Sequence, residues 1–254
     1  MELDLQKIIA GGLLVGLRVG TLMLFMPFFG DRAVPPRAKA GLTVALTVLL
    51  FPVFAPRSLP EDIGSWLAVA GHETIVGLMI GLIMHFVFEA VQLAGQILGF
   101  QLGFSLANVI DPQTQVDTPV LSVAHQMIAL LIFLQLDVHH WILRGIGKSF
   151  EFFPLNSSIT PATVSEFLRL AGGVWVIAAQ IAAPALMATF VADMTLGFLA
   201  KASPQFHIMI LALPAKNLLG YAILLGAAAF WPGVLQKHFL EAIQGMERLL
   251  GLAQ

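Results

Sequence analysis

The sequence contains no cysteine and few charged residues, and both absences exclude whole classes of protein. Without cysteine, the 254 residues can form no disulfide, no thiolate metal site and no cysteine nucleophile. Only 11% of the residues are charged, whereas soluble domains usually carry about 25%. The formal net charge is −2 and Lys and Arg form no cluster, so nothing in the composition predicts a nucleic-acid partner.

Recognisable catalytic and cofactor motifs are also missing. His72 starts a run like the zinc-protease HExxH motif, but Val76 stands where the second histidine is required. Gly103 and Ser105 resemble the first half of a serine-nucleophile motif. The motif is incomplete, because no second glycine follows Ser105. His139 and His140 are neighbours, and because neighbouring side chains on a helix point in different directions, we expect them to share no metal ion. The sequence predicts neither an enzyme nor a cofactor-binding protein.

Apolar residues are abundant instead: they make up 58% of the chain, and the mean hydropathy is +0.88. This predicts an all-α polytopic membrane protein with apolar segments at 8–29, 38–54, 66–103, 123–143, 172–199 and 206–231. No cleavage pattern follows the first segment, so we expect it to be retained. We interpret residues 1–254 as a single integrated membrane domain with N-terminal helices 8–104, a polar loop 105–122, C-terminal helices 123–231 and an amphipathic tail 232–254.

Segment 66–103 can be interpreted as one helix or as two. Segment 66–103 contains no proline and would be about 57 Å long as one helix, roughly twice a bilayer. The loop charges favour two crossings with a break near 89–92, whereas the residues themselves favour continuity, and the sequence does not decide between them. Further along, Thr160 and Pro161 predict a short helix in the connection before residue 172.

The stretch 88–122 organises the chain. Glu89, Gln92 and Gln96 share one helical stripe, and because unpaired polar groups are costly in hydrocarbon, this polar seam should face protein or water. Glycines at helical spacing predict close helix contact, and the candidate packing positions are Gly12, Gly16, Gly20, Gly77, Gly81, Gly95, Gly99 and Gly103.

The polar loop that ends this stretch is the candidate functional element. It has prolines near its middle and end, no lysine or arginine, and many short polar side chains. Such a segment suits a semi-rigid plug between apolar helices better than a flexible connector, although an exposed turn is the ordinary alternative. The residues predicted to form the plug are Ser105, Asn108, Ile110, Asp111, Pro112, Gln113, Thr114, Gln115, Asp117 and Pro119.

Charges within the apolar segments have two interpretations. Arg18 lies near the middle of the first segment and needs a carboxylate, a carbonyl cluster or water as its partner. Asp193 and Lys216 lie at nearly equal depth on consecutive segments, so an ion pair between them is geometrically easy. We interpret such charges as contacts that hold helices together, and a proton or ion relay is the alternative.

An ordered series of short motifs resembles one family. The matching positions are 18–27, 34–37, Glu73-xxx-Gly77-xxx-Gly81, 94–103, Asp111-Pro112, Pro119, 149–154, Ala183-Pro184, Leu196-Gly197, 204–208 and Leu213-Pro214. From residue 8 to 231 the chain resembles the FliR family, whose members are membrane proteins of the flagellar export gate. The virulence-system counterpart is SctT, and we favour the flagellar assignment.

The resemblance implies a fold, a location and partners. Members of the family assemble with FliP and FliQ into a closed export gate in the bacterial inner membrane, at the flagellar basal body, and contact FlhB. Their fold resembles a fusion of the FliP and FliQ folds, with tightly packed helical hairpins partly raised out of the bilayer plane. A loop matching 103–122 here obstructs the family's pore. Residues 200–203 depart from relatives that often carry arginine there, so we assign that turn no role.

We therefore predict a non-enzymatic, multi-pass gate subunit for the passage of unfolded export substrates, with loop 105–122 obstructing the pore. The expected partners are FliP-like, FliQ-like and FlhB-like subunits, the export substrates and membrane lipid, with no cofactor and no nucleic acid. A stand-alone secondary transporter or ion channel is the alternative function. A purely scaffolding membrane subunit is a third interpretation.

Overall fold

The computed structural model describes residues 5–27, 29–30, 34–55, 59–103, 120–154, 159–202 and 208–251, and these ranges contain no β-strand. Within them the helices are α1 (Leu5–Phe25), α2 (Pro36–Phe54), α3 (Ile63–Gln101), α4 (Val120–Gln135), α5 (Val138–Phe152), α6 (Pro161–Ala202), α7 (Ile208–Ala228) and α8 (Trp231–Gly251). Four helices, α1, α2, α3 and α6, are long and apolar enough to cross a membrane, and the number rises to 6 if two bent helix pairs each form a span. The prediction of an all-α polytopic membrane protein is confirmed.

Residues 63–101 form one helix, which decides between the two interpretations of this segment. α3 has 39 residues and no internal proline, so nothing in its sequence interrupts the backbone hydrogen bonds. A break near 89–92 is excluded. At its start, the Asp62 carboxylate accepts the Ser65 N–H at 3.1 Å and so satisfies a first-turn donor. Hydrogen bonds from the Ser65 hydroxyl and N–H also lower the pKa of Asp62.

The segment predicted at 123–143 is two helices, because the chain breaks between α4 and α5. Asp137 has φ 54° and ψ 26°, a left-handed conformation that interrupts a right-handed helix. Aspartate tolerates this region better than most residues. Apolar residues continue on both sides of this break, so the predicted apolar segment consists of two helices that meet at an angle of 69°.

The separate short helix predicted before residue 172 is also wrong, since α6 runs without a break for 42 residues. Its predicted start is correct: Pro161 is the first helical residue, and the Thr160 hydroxyl oxygen accepts the Thr163 N–H at 3.2 Å. Gly172 and Gly173 lie inside the helix. Each glycine weakens a helix by only about 1 kcal/mol, which the long apolar stretch that follows outweighs.

The chain divides into two compact units. Unit 1 consists of Met1–Phe86, Asp137–Gly172 and Phe239–Gln254, and unit 2 consists of Val87–Leu136 and Gly173–His238. Neither unit is one continuous stretch of chain, so the units do not coincide with the linear divisions predicted at 104, 122 and 231. That residues 1–254 act as a single integrated domain stays a prediction.

Unit 1 is built around α1. Its helix hairpin with α2 brings the Thr43 and Thr47 side chains to 3.4 and 3.5 Å from where Cβ atoms on Gly20 and Gly16 would lie. From Phe239 onward, α8 places an apolar stripe in the same core. The buried residues of the unit include Leu14, Val15, Val19, Leu22, Met26, Ile80, Ile83, Ile142, Ile146, Phe153, Ile243, Met246 and Leu250.

The polar side of this last stretch is held by ion pairs at the surface of unit 1. Lys148 lies 3.4 Å from Glu247, and Arg248 lies 3.2 Å from Glu166. The residues that alternate with these charges on α8 are buried at a spacing of three and four, as in an amphipathic helix.

Unit 2 packs the last third of α3 against α4, α6 and α7. Phe88 and Phe133 meet edge to face with ring centroids 5.5 Å apart. The buried residues include Val91, Ala94, Leu98, Leu102, Ala129, Ala178, Ile181, Ala182, Ala185, Leu224 and Trp231. α6 also carries large apolar side chains that are exposed on this chain, including Trp175, Met187, Phe190 and Phe198. Such a surface requires lipid or a partner protein as its neighbour.

Candidate functional site at polar clusters within apolar helices

The residues predicted to form the plug lie outside the part of the chain that the structure describes: Ser105, Asn108, Ile110, Asp111, Pro112, Gln113, Thr114, Gln115, Asp117 and Pro119. Both flanks are described, because α3 ends at Gln101 and α4 begins at Val120. Gly103 has φ 81°, which glycine adopts without strain. Gly103 therefore turns the chain out of α3 and does not lie on a helix face.

Three helices of unit 2 meet in a polar cluster at the end of α3. This root cluster consists of Gln101, Thr189, Asp193 and Lys216. The Gln101 side-chain amide donates to Asp193 Oδ2 at 3.2 Å and to Thr189 Oγ1 at 3.3 Å. Lys216 Nζ donates to the same Asp193 oxygen at 2.8 Å, so the predicted ion pair is present. A charge-assisted hydrogen bond of this length is stronger than a neutral one, and it ties α6 to α7.

Close backbone approach in unit 2 depends on glycine at Gly95, and Gly220 leaves room for a neighbouring side chain. A Cβ on Gly220 would collide with the side chain of Leu102, which is buried beside the root cluster. A Cβ on Gly95 would lie 2.6 Å from Ser122 Cα, too close for any side chain. Gly99 is buried on the same helix. The end of α3 is therefore fixed by packing as well as by hydrogen bonds.

The polar seam is divided between an internal contact and the surface. Gln126 on α4 donates from its side-chain amide to Gln92 Oε1 at 2.9 Å, and the Ser122 hydroxyl donates to the Gln92 carbonyl at 3.3 Å. Glu89 and Gln96 are exposed on this chain. One member of the seam thus joins α3 to α4, while the other two face outward.

In unit 1, the candidate packing glycines differ in what surrounds them. A Cβ on Gly77 would collide with the carbonyl oxygen of Arg18, and one on Gly81 would lie 2.9 Å from the carbonyl oxygen of Leu22. These two positions let α3 approach the α1 backbone directly. At Gly12 a Cβ would meet nothing within 4 Å.

A fully buried ion pair joins α1 and α3 in unit 1. Arg18 donates to both oxygens of Glu73 at 2.6 and 3.0 Å, and both side chains have 0% exposure. The same guanidinium donates to the carbonyl oxygens of Ser149 and Phe153, each at 2.8 Å, and lies 4.2 Å from the Phe150 ring centroid. Sequence reasoning required a carboxylate or carbonyls for Arg18 but did not choose Glu73. The available signal was a positive charge inside one apolar helix and a negative charge inside another.

The structure contradicts the expectation that His139 and His140 cannot share a metal ion. One donor atom from each of Asp137, His139 and His140 lies within 4.8 Å of the others. The argument from helix periodicity failed because these residues occupy the first turn of α5. There the Asp137 carboxylate stands at the helix end, and both long imidazole side chains reach towards it.

The fold and its polar clusters define a class: a polytopic helical membrane protein whose internal charges join helices. The family described as Bacterial export proteins, family 1, matches residues 9–242, and the chain belongs to that family. It is 33% identical over 244 residues to flagellar biosynthetic protein FliR of Bacillus subtilis (strain 168), covering 94% of each chain. The resemblance seen in the sequence is confirmed.

Two further relatives extend the comparison. The chain is 30% identical over 213 residues to flagellar biosynthetic protein FliR of Escherichia coli (strain K12), covering 82% of this chain and 80% of the relative. It is 25% identical over 166 residues to Yop proteins translocation protein T of Yersinia pestis, covering 64% of each chain.

Proposed function

We propose that this chain is a subunit of a type III protein export gate in the bacterial inner membrane. It would form part of the closed channel through which unfolded export substrates cross the inner membrane. Membership of the bacterial export family supports this role. The flagellar proteins of Bacillus subtilis and Escherichia coli match over more of the chain than the Yop translocation protein does, which favours a flagellar basal body as the location.

Segment 105–122 obstructs the pore in this proposal. The observation that carries it is that both ends of the segment are held within unit 2. Gln101 and Leu102 hold one end through the root cluster and Gly220. Ser122 holds the other end through Gln92 and the close approach to Gly95. A polar stretch with both ends fixed among apolar helices can remain at one place, as a plug must.

The gating step is passive. The chain offers no phosphate-binding glycine loop, so energy for export comes from another component. By filling the pore, segment 105–122 would exclude ions and small solutes while the gate is closed. Entering substrate would displace it, and no covalent chemistry is required of this subunit.

Exposed side chains of unit 2 support a role in contact with other membrane subunits. The exposed apolar side chains of α6 fit neighbouring membrane subunits or lipid, and Glu89 and Gln96 offer polar contacts to a neighbour. We propose FliP-like and FliQ-like subunits as the direct partners, an FlhB-like subunit as a further contact, and unfolded export substrates as the cargo.

Deletion of residues 110–118 tests the plug. We expect the deletion to raise the permeability of the inner membrane to ions and small solutes while the subunit still co-purifies with its partners. The matched control replaces the same nine residues with a shuffled sequence of the same composition, which keeps the volume and polarity of the segment. Deletion cells that stay impermeable and export normally would show that the segment is not a plug.

A stand-alone transporter or channel makes a different prediction. It would conduct ions or solutes when the purified chain alone is placed in liposomes, whereas a gate subunit would not. A purely scaffolding subunit would assemble normally and tolerate both loop variants without any change in permeability.

A further inference from the structure

The first turn of α5 gathers three side chains that are typical metal ligands. Asp137 Oδ1 lies 3.3 Å from His140 Nδ1 and 3.9 Å from His139 Nε2. The two imidazole rings lie beside each other, with centroids 4.1 Å apart and planes inclined by 37°. All three donor atoms lie within 4.8 Å of one another, so one ion could touch all of them after small side-chain rotations.

We propose that Asp137, His139 and His140 bind one divalent transition-metal ion, for which Zn²⁺ is the best match. Two imidazole nitrogens are borderline donors and, together with one carboxylate oxygen, suit Zn²⁺, Co²⁺ or Ni²⁺, whereas Ca²⁺ and Mg²⁺ prefer oxygen ligands alone. Around tetrahedral zinc, bonds of about 2.0–2.1 Å place neighbouring ligand atoms roughly 3.3 Å apart. The Asp137–His140 distance already has this value, and only His139 has to move closer.

The backbone holds this arrangement before any ion arrives. Asp137 is the one residue other than glycine with positive φ in the described part of the chain. Its carbonyl oxygen accepts the His140 N–H at 3.0 Å, which keeps the carboxylate-bearing residue and the second histidine together. The local backbone therefore brings the three ligand residues together.

The site is also accessible. Asp137 and His140 are 69% and 62% exposed, and His139 is 26% exposed. An exposed ligand set leaves room for water as the fourth ligand and gives the ion a route of entry. The bound ion would join the left-handed residue to the first turn of α5 and so stabilise the start of that helix. This inference does not rest on the export function.

Cobalt binding to the full chain tests the proposal. The protein is purified in detergent through a tag that contains no histidine, and Co²⁺ is added while the visible absorption is recorded. We expect one Co²⁺ per chain with the intense bands of four-coordinate cobalt. Zn²⁺ should abolish these bands, since it binds such sites more tightly, whereas Mg²⁺ and Ca²⁺ should not.

Single variants assign the ligands. We expect H140A and H139A each to weaken Co²⁺ binding by at least about tenfold. D137N should do the same while keeping a residue that accepts the left-handed conformation. H85A removes a histidine outside the cluster and should bind as the unaltered chain does. The thermal unfolding midpoint without metal shows that each variant is folded. Absence of the cobalt bands from the unaltered chain, or full binding by folded H140A, would overturn the proposal.

Discussion

At the scale of single residues, the Arg18–Glu73 pair shows how a charge is stabilised inside an apolar helix. Glu73 and two backbone carbonyls accept four of the five guanidinium N–H bonds, and the Ser149 hydroxyl accepts the fifth at 3.4 Å. Removing one member of such a pair leaves the other charge buried and unpaired. We expect R18M to lower the free energy of unfolding by about 3–5 kcal/mol, measured by thermal unfolding in detergent.

Two further variants make the Arg18 prediction specific. The double variant R18M with E73Q removes both charges and should recover part of the lost stability. R169Q interrupts the exposed pair with Glu166, which should be worth less than ~1 kcal/mol. If R18M and R169Q lowered the free energy of unfolding equally, burial would not be the reason that the Arg18–Glu73 pair matters for stability.

Gly77 and Gly12 provide a matched pair for testing close helix packing. A Cβ at Gly77 collides with the Arg18 carbonyl, whereas Gly12 has nothing within 4 Å. We expect G77A to destabilise the protein by about 1–3 kcal/mol because the α1 and α3 backbones must separate. G12A should be neutral or stabilise by up to ~1 kcal/mol, since alanine favours helix. If G77A and G12A have the same thermal unfolding midpoint, the α1 and α3 backbones are not in close contact at Gly77.

At the scale of helices, the sequence predicts apolar segments well and their interruptions poorly. Apolar periodicity is a property of many residues together, so it identified the helical regions. The break at Asp137 depends on the φ of one residue, and the apolar pattern continues across it. Conversely, Gly172 and Gly173 suggest an interruption that the long apolar stretch of α6 overrides. Only contacts formed in the folded protein decide such cases.

The candidate site was predictable to the same limited extent. Equal depth on consecutive helices was enough to pair Asp193 with Lys216. Gln101 and Thr189 could not be added, because a neutral amide or hydroxyl near a helix end gives no signal of its own. Neither could the sequence show that the carboxylate of Asp137 and two adjacent imidazoles converge, since that depends on how α5 begins.

The root cluster should act as one connection among α3, α6 and α7. Because Asp193 accepts hydrogen bonds from Gln101 and Lys216, the effects of changing it and Lys216 should not be independent. We expect D193N and K216M each to cost about 1–3 kcal/mol, and the double variant to cost less than their sum. T195A lies two residues away and loses only a bond to its own helix, so it should change stability by less than ~0.5 kcal/mol. Additive effects, measured by unfolding in detergent, would show that the cluster is not coupled.

At the scale of the whole molecule, each compact unit is assembled from stretches that are distant in the chain. Unit 1 needs residues from the start, middle and end of the sequence, and unit 2 needs residues from two internal stretches. Neither unit can therefore be complete until most of the chain has been made. Contacts between such distant segments form slowly, which leaves apolar helices exposed during assembly.

Apolar side chains remain exposed in the folded chain. Trp175 and Phe198 on α6 are 69% and 71% exposed, and α2 buries none of its residues. Part of this apolar surface can face lipid, but the amide of Gln96 lies exposed on the unit 2 stretch of α3 and requires a polar neighbour. In a protein that functions alone in the bilayer, a polar side chain at such a position would face lipid without a partner.

Native mass spectrometry of the chain, co-expressed with the products of neighbouring genes and extracted in mild detergent, tests this argument. We expect one copy of the chain in a large complex with FliP-like and FliQ-like subunits, because these partners cover its exposed polar and apolar positions. Expressed by itself, the same chain should be extracted in lower yield than from the co-expressing cells, because these positions then lack their partners. A stable monomer or homo-oligomer in both preparations would show that these surfaces need no partner, and flux measurements in liposomes would then test the transporter alternative.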